Sequence, residues 1–137
     1  LLPPRRMRNF YNSIGMHLPK TRKRNPYNPA YLNPDDVAAL GIENGDRIII
    51  TSDHASIEAI VEGDPSVRSG VVSMAVAWGG LPDENFDPAL SGASTNMLIS
   101  TDSNTDPINS MPRMSAVPVR LAVSTQPMAS RAASFSP

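Results

Sequence analysis

Cysteine is absent from this chain of 137 residues, and histidine occurs only at His17 and His54. The first absence excludes a disulfide framework and any thiolate metal site within the chain. The two histidines lie far apart in sequence and have no cysteine to help them, so they are expected to face solvent rather than to bind a metal or move a proton. No apolar run approaches the about 18 residues a membrane helix needs, and the first residues carry no apolar signal-peptide core. Glycine-rich phosphate loops of the Gly-x-Gly-x-x-Gly or Walker type are missing. Ser13, Ser73 and Ser110 have no nucleophile elbow around them, which leaves acyl-transfer chemistry without a starting point. The acidic pairs Asp35-Asp36 and Asp83-Glu84 are adjacent rather than opposed, as acid–base catalysis would require.

What the chain does contain is proline and glycine, 14 and 8 residues. Together they shorten helices and multiply turns, which favours a β-rich architecture over a helical bundle. The length suits one domain with a real core, since stable domains commonly run about 100–150 residues. The chain begins with Leu rather than Met, and the expectation is that it is processed or, preferably, cut from a longer protein. A net charge of -1 hides an asymmetry. Arg5, Arg6, Arg8, Lys20, Arg22, Lys23 and Arg24 are all basic, and no Asp or Glu precedes Asp35. This cationic start could bind nucleic acid, but only Phe10 and Tyr11 could stack on bases and no helix is evident for a groove, so nucleic acid is disfavoured. A solvated basic face and a phosphate site, with Arg8 supplying charge and the loop from Asn12 to Gly15 supplying N–H groups, are the other readings.

The chain is organised around residues 31–52. Asn33 can cap a helix that Pro34 opens, Asp35 and Asp36 suit its first turn, and Gly41 with Ile42 closes it. Asn44-Gly45 is a tight turn, and the β-branched run from Arg47 to Thr51 reads as a strand. Ile57, Ala59 and Val61 alternate with polar residues, which predicts a hairpin across residues 48–62. A more continuously apolar strand follows over residues 71–76. Residues 9–13 alternate enough to end an earlier strand. Residues 20–28 are basic and punctuated by Pro26 and Pro29, and are expected to be an exposed extended connection. Residues 81–95 read as a long polar loop of functional interest. Residues 96–99 are a short apolar return, 100–115 a loop, and 117–123 a last strand in which Pro118 must face out of the ladder. The expected domain ends near residue 123, and the Ser/Ala/Pro-rich residues 124–137 are expected to be a disordered tail. Short strands, one capped helix and long crossing loops fit a closed barrel better than a sandwich.

The remaining chemistry is loop amides, hydroxyls and cations: Asn12 and Ser13, Asn96, and Asn109 with Arg113. Such groups suit a ligand bearing phosphate and purine, because amides read hydrogen-bonding edges and arginine pairs with phosphate. Asn and Ser are also ordinary turn residues, and spacing alone does not choose between the two.

Residues 33–46, Asn-Pro-Asp-Asp-Val-Ala-Ala-Leu-Gly-Ile-Glu-Asn-Gly-Asp, lead into the Ile-rich strand, the hairpin, Gly70-Val-Val and Trp78-Gly79. This order strongly resembles the molybdopterin-dinucleotide-binding domain of the dimethyl sulfoxide reductase family of molybdenum and tungsten oxidoreductases. Asn96-Met-Leu-Ile, Asp106-Pro, Met111-Pro-Arg and Ala116-Val-Pro-Val follow in the order seen there. The resemblance covers residues 5–123 and implies a mainly β fold, a double-psi β-barrel with one or two short helices. It implies that molybdopterin guanine dinucleotide, carrying Mo or W, is bound through Arg8, Asn12, Ser13, Gly15, Asn96 and Arg113, with Arg113 standing where relatives often have lysine. It further implies that the metal ligand and the larger cofactor domains lie in upstream catalytic domains or a subunit of the same enzyme, formate dehydrogenase or nitrate reductase like, so that this chain is not catalytic alone. The alternatives are a small subunit that stands free of the catalytic chain, or a protein or nucleic-acid interaction module. For the parent enzyme a cytoplasmic setting is slightly favoured over a periplasmic one.

Overall fold

The computed structural model describes residues 1–2, 18–79 and 87–125, together with the backbone of residues 4–5. Six strands form one sheet: β1 (Pro4–Arg5), β2 (Ala30–Leu32), β3 (Arg47–Thr51), β4 (Ser56–Gly63), β5 (Val72–Ala75) and β6 (Arg120–Val123). Their order is β1-β5-β2-β4-β3-β6. Three short helices, α1 (Pro19–Arg24), α2 (Pro34–Ala39) and α3 (Pro88–Ser91), and a 3₁₀ turn (Thr95–Leu98) complete the described elements.

Local rules explain the centre of the chain. The Asn33 side chain accepts from the Asp35 N–H at 2.9 Å, Pro34 opens α2, and the chain leaves it through Gly41 at φ 66. Ile42 N–H then reaches back to Val37 O, and its side chain is buried. Asp36 does more than suit the helix dipole, because its carboxylate accepts from Ser69 Oγ and Gly70 N–H, both at 2.7 Å. In β3 the strict alternation buries Ile48 and Ile50 completely while Ile49 stays half-exposed. β4 pairs with it antiparallel, Ile50 opposite Ile57 and Ile48 opposite Ala59, as the predicted hairpin requires.

The topology is less local. β2 runs parallel to β4 and antiparallel to β5, so the β4-to-β5 connection straddles β2, which is a ψ crossing. At the sheet ends, Leu2 N–H donates to Val117 O at 3.0 Å, an antiparallel bridge between the segment before β1 and the segment before β6. That bridge closes the sheet on itself and leaves the two outer strands joined rather than open. The fold is a mainly β double-psi barrel. Its core gathers Leu32, Ile48, Ile50, Val61, Val72, Met74 and Leu98, with Leu2 and Val117 buried at the seam.

Four expectations change. Residues 19–24 are helical rather than extended: Pro19 takes the first helical position and the lysines and arginines behind it are good helix formers, so Pro26 and Pro29 only end the helix. The second half of the 81–95 loop contains α3, capped by Asp87. Residues 95–98 wind into a 3₁₀ turn rather than returning extended, which drives Leu98 fully into the core. The last strand begins at Arg120, because Pro118 lacks the N–H to start the ladder earlier. The strand end expected at residues 9–13 and the tail from residue 126 onward lie outside the described residues.

Candidate functional site

A cleft of about 240 Å³ opens where the β3–β4 turn, the segment following the 3₁₀ turn and the approach to β6 converge. Its floor is apolar, from Leu98, Ile99 and Val117. Thr51, Ser52 and Asp53 form one wall, Ser100, Ser103 and Asn104 the other, and Arg113 and Arg120 reach it from the returning chain. Thr51 and Arg120 are direct cross-strand partners on β3 and β6. Two arginines and a single aspartate therefore line the cleft, with Arg113 Nε donating to Ser115 O at 3.2 Å, and the balance of charge favours anions.

The walls are set by their own hydrogen bonds. Ser52 Oγ accepts from the N–H groups of His54 and Ala55, each at 3.1 Å, which shapes the turn and leaves His54 exposed. Ser100 Oγ accepts from Asp102 N–H and Ser103 N–H at 3.2 and 3.0 Å. Asn104 Nδ2 donates to Asp53 Oδ2 at 3.4 Å and links the two walls. Beyond the cleft the chain forms a closed loop in which Asp106 N–H donates to Met111 O at 2.8 Å and Arg113 N–H donates to Asn104 O at 3.0 Å. The Asp106 carboxylate accepts from Asn109 and Ile108 N–H, and these two bonds hold its pKa below the ordinary carboxylate value. The loop thus presents Arg113 from a fixed base.

Below the cleft the 3₁₀ turn is anchored by a polar junction. Asn28, 1% exposed, donates to Ala75 O at 2.7 Å and to Ala93 O at 2.9 Å and accepts from Ala93 N–H at 2.7 Å. Gly92 passes so close to Asn28 and Trp78 that a Cβ there would lie 2.5 and 2.9 Å from them. On the outer face, Arg47 Nη2 donates to Asp87 Oδ1 at 2.8 Å and Nη1 to Glu58 Oε2 at 3.3 Å, tying α3 to the β3–β4 hairpin.

Of the residues expected to hold a ligand, Arg113 lines the cleft. Asn96 does not: it is exposed in the 3₁₀ turn, with its carbonyl accepting from Ile99 N–H at 3.1 Å, while its neighbours Leu98 and Ile99 form the floor. Arg8, Asn12, Ser13 and Gly15 lie outside the described residues, as does His17. Sequence reasoning missed Arg120, Thr51, Ser52, Ser100, Ser103 and Asn104. Only the β3–β6 register brings Arg120 beside the β3–β4 turn, and no local signal in the chain carries that pairing. Among the described residues, no group of three or more His, Asp or Glu side chains could hold a metal ion.

Guanidiniums, hydroxyls and an amide over an apolar floor suit the diphosphate and one flank of a dinucleotide. The size is telling as well, because pockets for whole drug-sized ligands run about 300–1,000 Å³ and this cleft is smaller. It is an open cleft that could cover part of a dinucleotide, too small to enclose one.

The chain is thus a mainly β double-psi barrel that carries a cleft lined by two arginines, hydroxyls and an amide. Residues 1–118 match the family described as Molydopterin dinucleotide binding domain, and the chain belongs to that family. Over 54 residues, 39% of the chain, it is 37% identical to a tetrathionate reductase subunit of Archaeoglobus fulgidus. The structure of acetylene hydratase from Pelobacter acetylenicus superimposes on 90% of the chain with a TM-score of 0.73 at 21% identity, a likeness of fold. Both proteins are much longer, the matches spanning 5% and 18% of their lengths.

Proposed function

We propose that this domain binds molybdopterin guanine dinucleotide as one wall of the active site of a larger molybdenum oxidoreductase, formate dehydrogenase or nitrate reductase like. The observation that carries the proposal is that Arg113 and Arg120 share one cleft walled by hydroxyls and an amide. Arg113 and Arg120 would neutralise the diphosphate. Ser52, Ser100 and Ser103 would supply further hydrogen bonds. Asp53 offers acceptor oxygens to the N–H edge that guanine has and adenine lacks, which favours the guanine form. Asn96 and the segment bearing Arg8, Asn12, Ser13 and Gly15 are proposed to contact the part of the cofactor that extends beyond the cleft. The metal, molybdenum or tungsten, arrives with the pterin and supplies the redox chemistry. The remaining catalytic domains of the parent enzyme would complete the site, consistent with the small share of each relative that the chain spans.

The test is cofactor retention in the parent enzyme, read as pterin and guanine nucleotide released per mole of protein on acid denaturation. Arg113→Ala and Arg120→Ala should each lower cofactor affinity roughly tenfold or more, the effect of losing one charge-assisted hydrogen bond. Arg68→Ala, at an exposed position away from the cleft, should not change retention. Unchanged content in both cleft variants overturns the proposal.

A further inference from the structure

Among the described residues, little of the domain supports helix α1. None of its six residues is buried, and no side chain caps its N-terminus. Isolated helices this short are marginal in water. Lys20 stands three and four residues from Lys23 and Arg24, spacings at which like charges repel. Basic residues in the last turn do suit the helix dipole. Even so, among the described residues none of Lys20, Arg22, Lys23 and Arg24 makes an ion pair. Among the described residues, the one side-chain tie of α1 is Arg22 Nη2 to Leu90 O on α3, at 3.3 Å.

That tie brings two exposed leucines to the same place. Leu18 is 60% exposed and shares a helical face with Arg22, whose N–H donates to Leu18 O. Leu90 is 66% exposed beside the Arg22 guanidinium. An exposed leucine one turn before Arg22, a second whose carbonyl Arg22 binds, and three further cations on the same helix have the make-up of an interface centre with a charged rim.

We propose that this α1–α3 edge docks onto an acidic surface of the remainder of the parent enzyme. Carboxylates opposite Lys20, Lys23 and Arg24 would remove the repulsion that burdens the helix, and apolar contact would cover Leu18 and Leu90. The patch is too small to hold a freely diffusing protein, for which about 1,000 Å² of buried surface is needed. Within one enzyme the partner surface is held close, and a small contact suffices. Nucleic acid fits less well, because the centre of the patch is leucine and offers no ring for bases to stack on. The proposal rests on the reading of this chain as one domain of a larger molybdoenzyme.

Lys20 and Lys23 are the only lysines in the chain, so within it lysine acylation reports on this helix alone. The parent enzyme would be pulsed with an acetylating succinimidyl ester and the peptide carrying both lysines quantified by mass spectrometry. Docking predicts acylation about tenfold slower than for free lysine, equivalent to about 1.4 kcal/mol of protection. The protection should disappear at about 1 M salt and in the Leu18→Glu, Leu90→Glu double variant, since salt screens the rim and glutamate repels an acidic partner. Lysines reacting at the free rate in the intact enzyme overturn the proposal. So does protection that survives both the salt and the double variant, or protection that appears only when nucleic acid is added. Pterin content is measured on the same samples: full pterin with unprotected lysines defeats the docking alone, whereas protected lysines in an enzyme without pterin defeat the cofactor reading alone.

Discussion

Asn28 treats Ala93 as a strand neighbour: its side-chain amide donates to Ala93 O at 2.9 Å and accepts from Ala93 N–H at 2.7 Å, imitating a backbone peptide group. A second donation to Ala75 O at 2.7 Å fastens the same amide to the end of β5. The 3₁₀ turn that carries Leu98 to the cleft floor therefore starts from a position set by one buried side chain 65 residues away. Packing, not local propensity, orients that turn.

Replacing Asn28 by Ala would leave one N–H and two carbonyls unpaired in a buried junction. At about 1–3 kcal/mol per unsatisfied group, partly relieved by entering water, the loss of stability should be about 3 kcal/mol. Asn28→Asp keeps the acceptor but forfeits both donations, and should cost at least as much. Urea denaturation would show the midpoint falling; a midpoint unchanged in both variants would mean the junction does not support the fold.

Gly79 and Gly41 both have positive φ, 71 and 66, but differ in what surrounds them. A Cβ at Gly79 would lie 2.5 Å from Ser94 N and 2.9 Å from Ala93 C, both backbone, whereas at Gly41 it would meet nothing within 4 Å. Gly41→Ala should therefore cost about 1 kcal/mol, the left-handed backbone penalty alone. Gly79→Ala adds a clash that the backbone must move to relieve, and should cost about 3 kcal/mol. Equal losses in thermal melts would contradict this packing.

Arg47 has only 9% of its side chain exposed and binds two carboxylates, Glu58 and Asp87, that retain 19% and 21%. Its Nε is buried without a partner, so the site is held by the two ion pairs rather than by full satisfaction. Arg47→Ala should destabilise by about 2–3 kcal/mol, below the usual cost of breaking a fully buried pair because both acids remain partly hydrated. Asp87→Asn, which preserves the cap to Ala89 N–H, should cost only about 1 kcal/mol. A double-mutant cycle with no coupling between positions 47 and 87 would refute the clamp.

The Asp106 carboxylate is stabilised in the folded loop by the Asn109 and Ile108 N–H groups, so its folded pKa lies below the unfolded value of about 3.9. The unfolded state binds the proton more readily, and stability therefore rises with pH across that interval. The contribution of this carboxylate is fully present above the unfolded pKa and is lost as pH falls through the folded one. A carboxyl-carbon NMR titration should place Asp106 below the ordinary aspartate value, with the Ile108 and Asn109 amides losing protection over the same range. Titration at or above the ordinary value would mean that the loop behind Arg113 is not closed in solution.

Residues 33–62 were legible in the chain because each of their features has a local cause. Asn33 caps, Gly41 allows the left-handed turn, and the alternation at Ile48 and Ile50 selects the buried face. The resemblance of the ordered motifs added the family and the barrel, and Arg113, singled out first among the loop cations and again by the resemblance, lines the cleft. Residues 20–24 were misread because the prolines that end a helix look, in one dimension, like those of an extended linker. Arg120 was missed because its place beside Thr51 depends on the β3–β6 register, and Leu2 meets Val117 only when the sheet closes. Local sequence determined the helix, the hairpin and which faces are apolar, since capping, turn geometry and period-2 burial act over a few residues. Tertiary structure alone decided which cations share the cleft, because that depends on contacts between segments tens of residues apart, which no local pattern encodes.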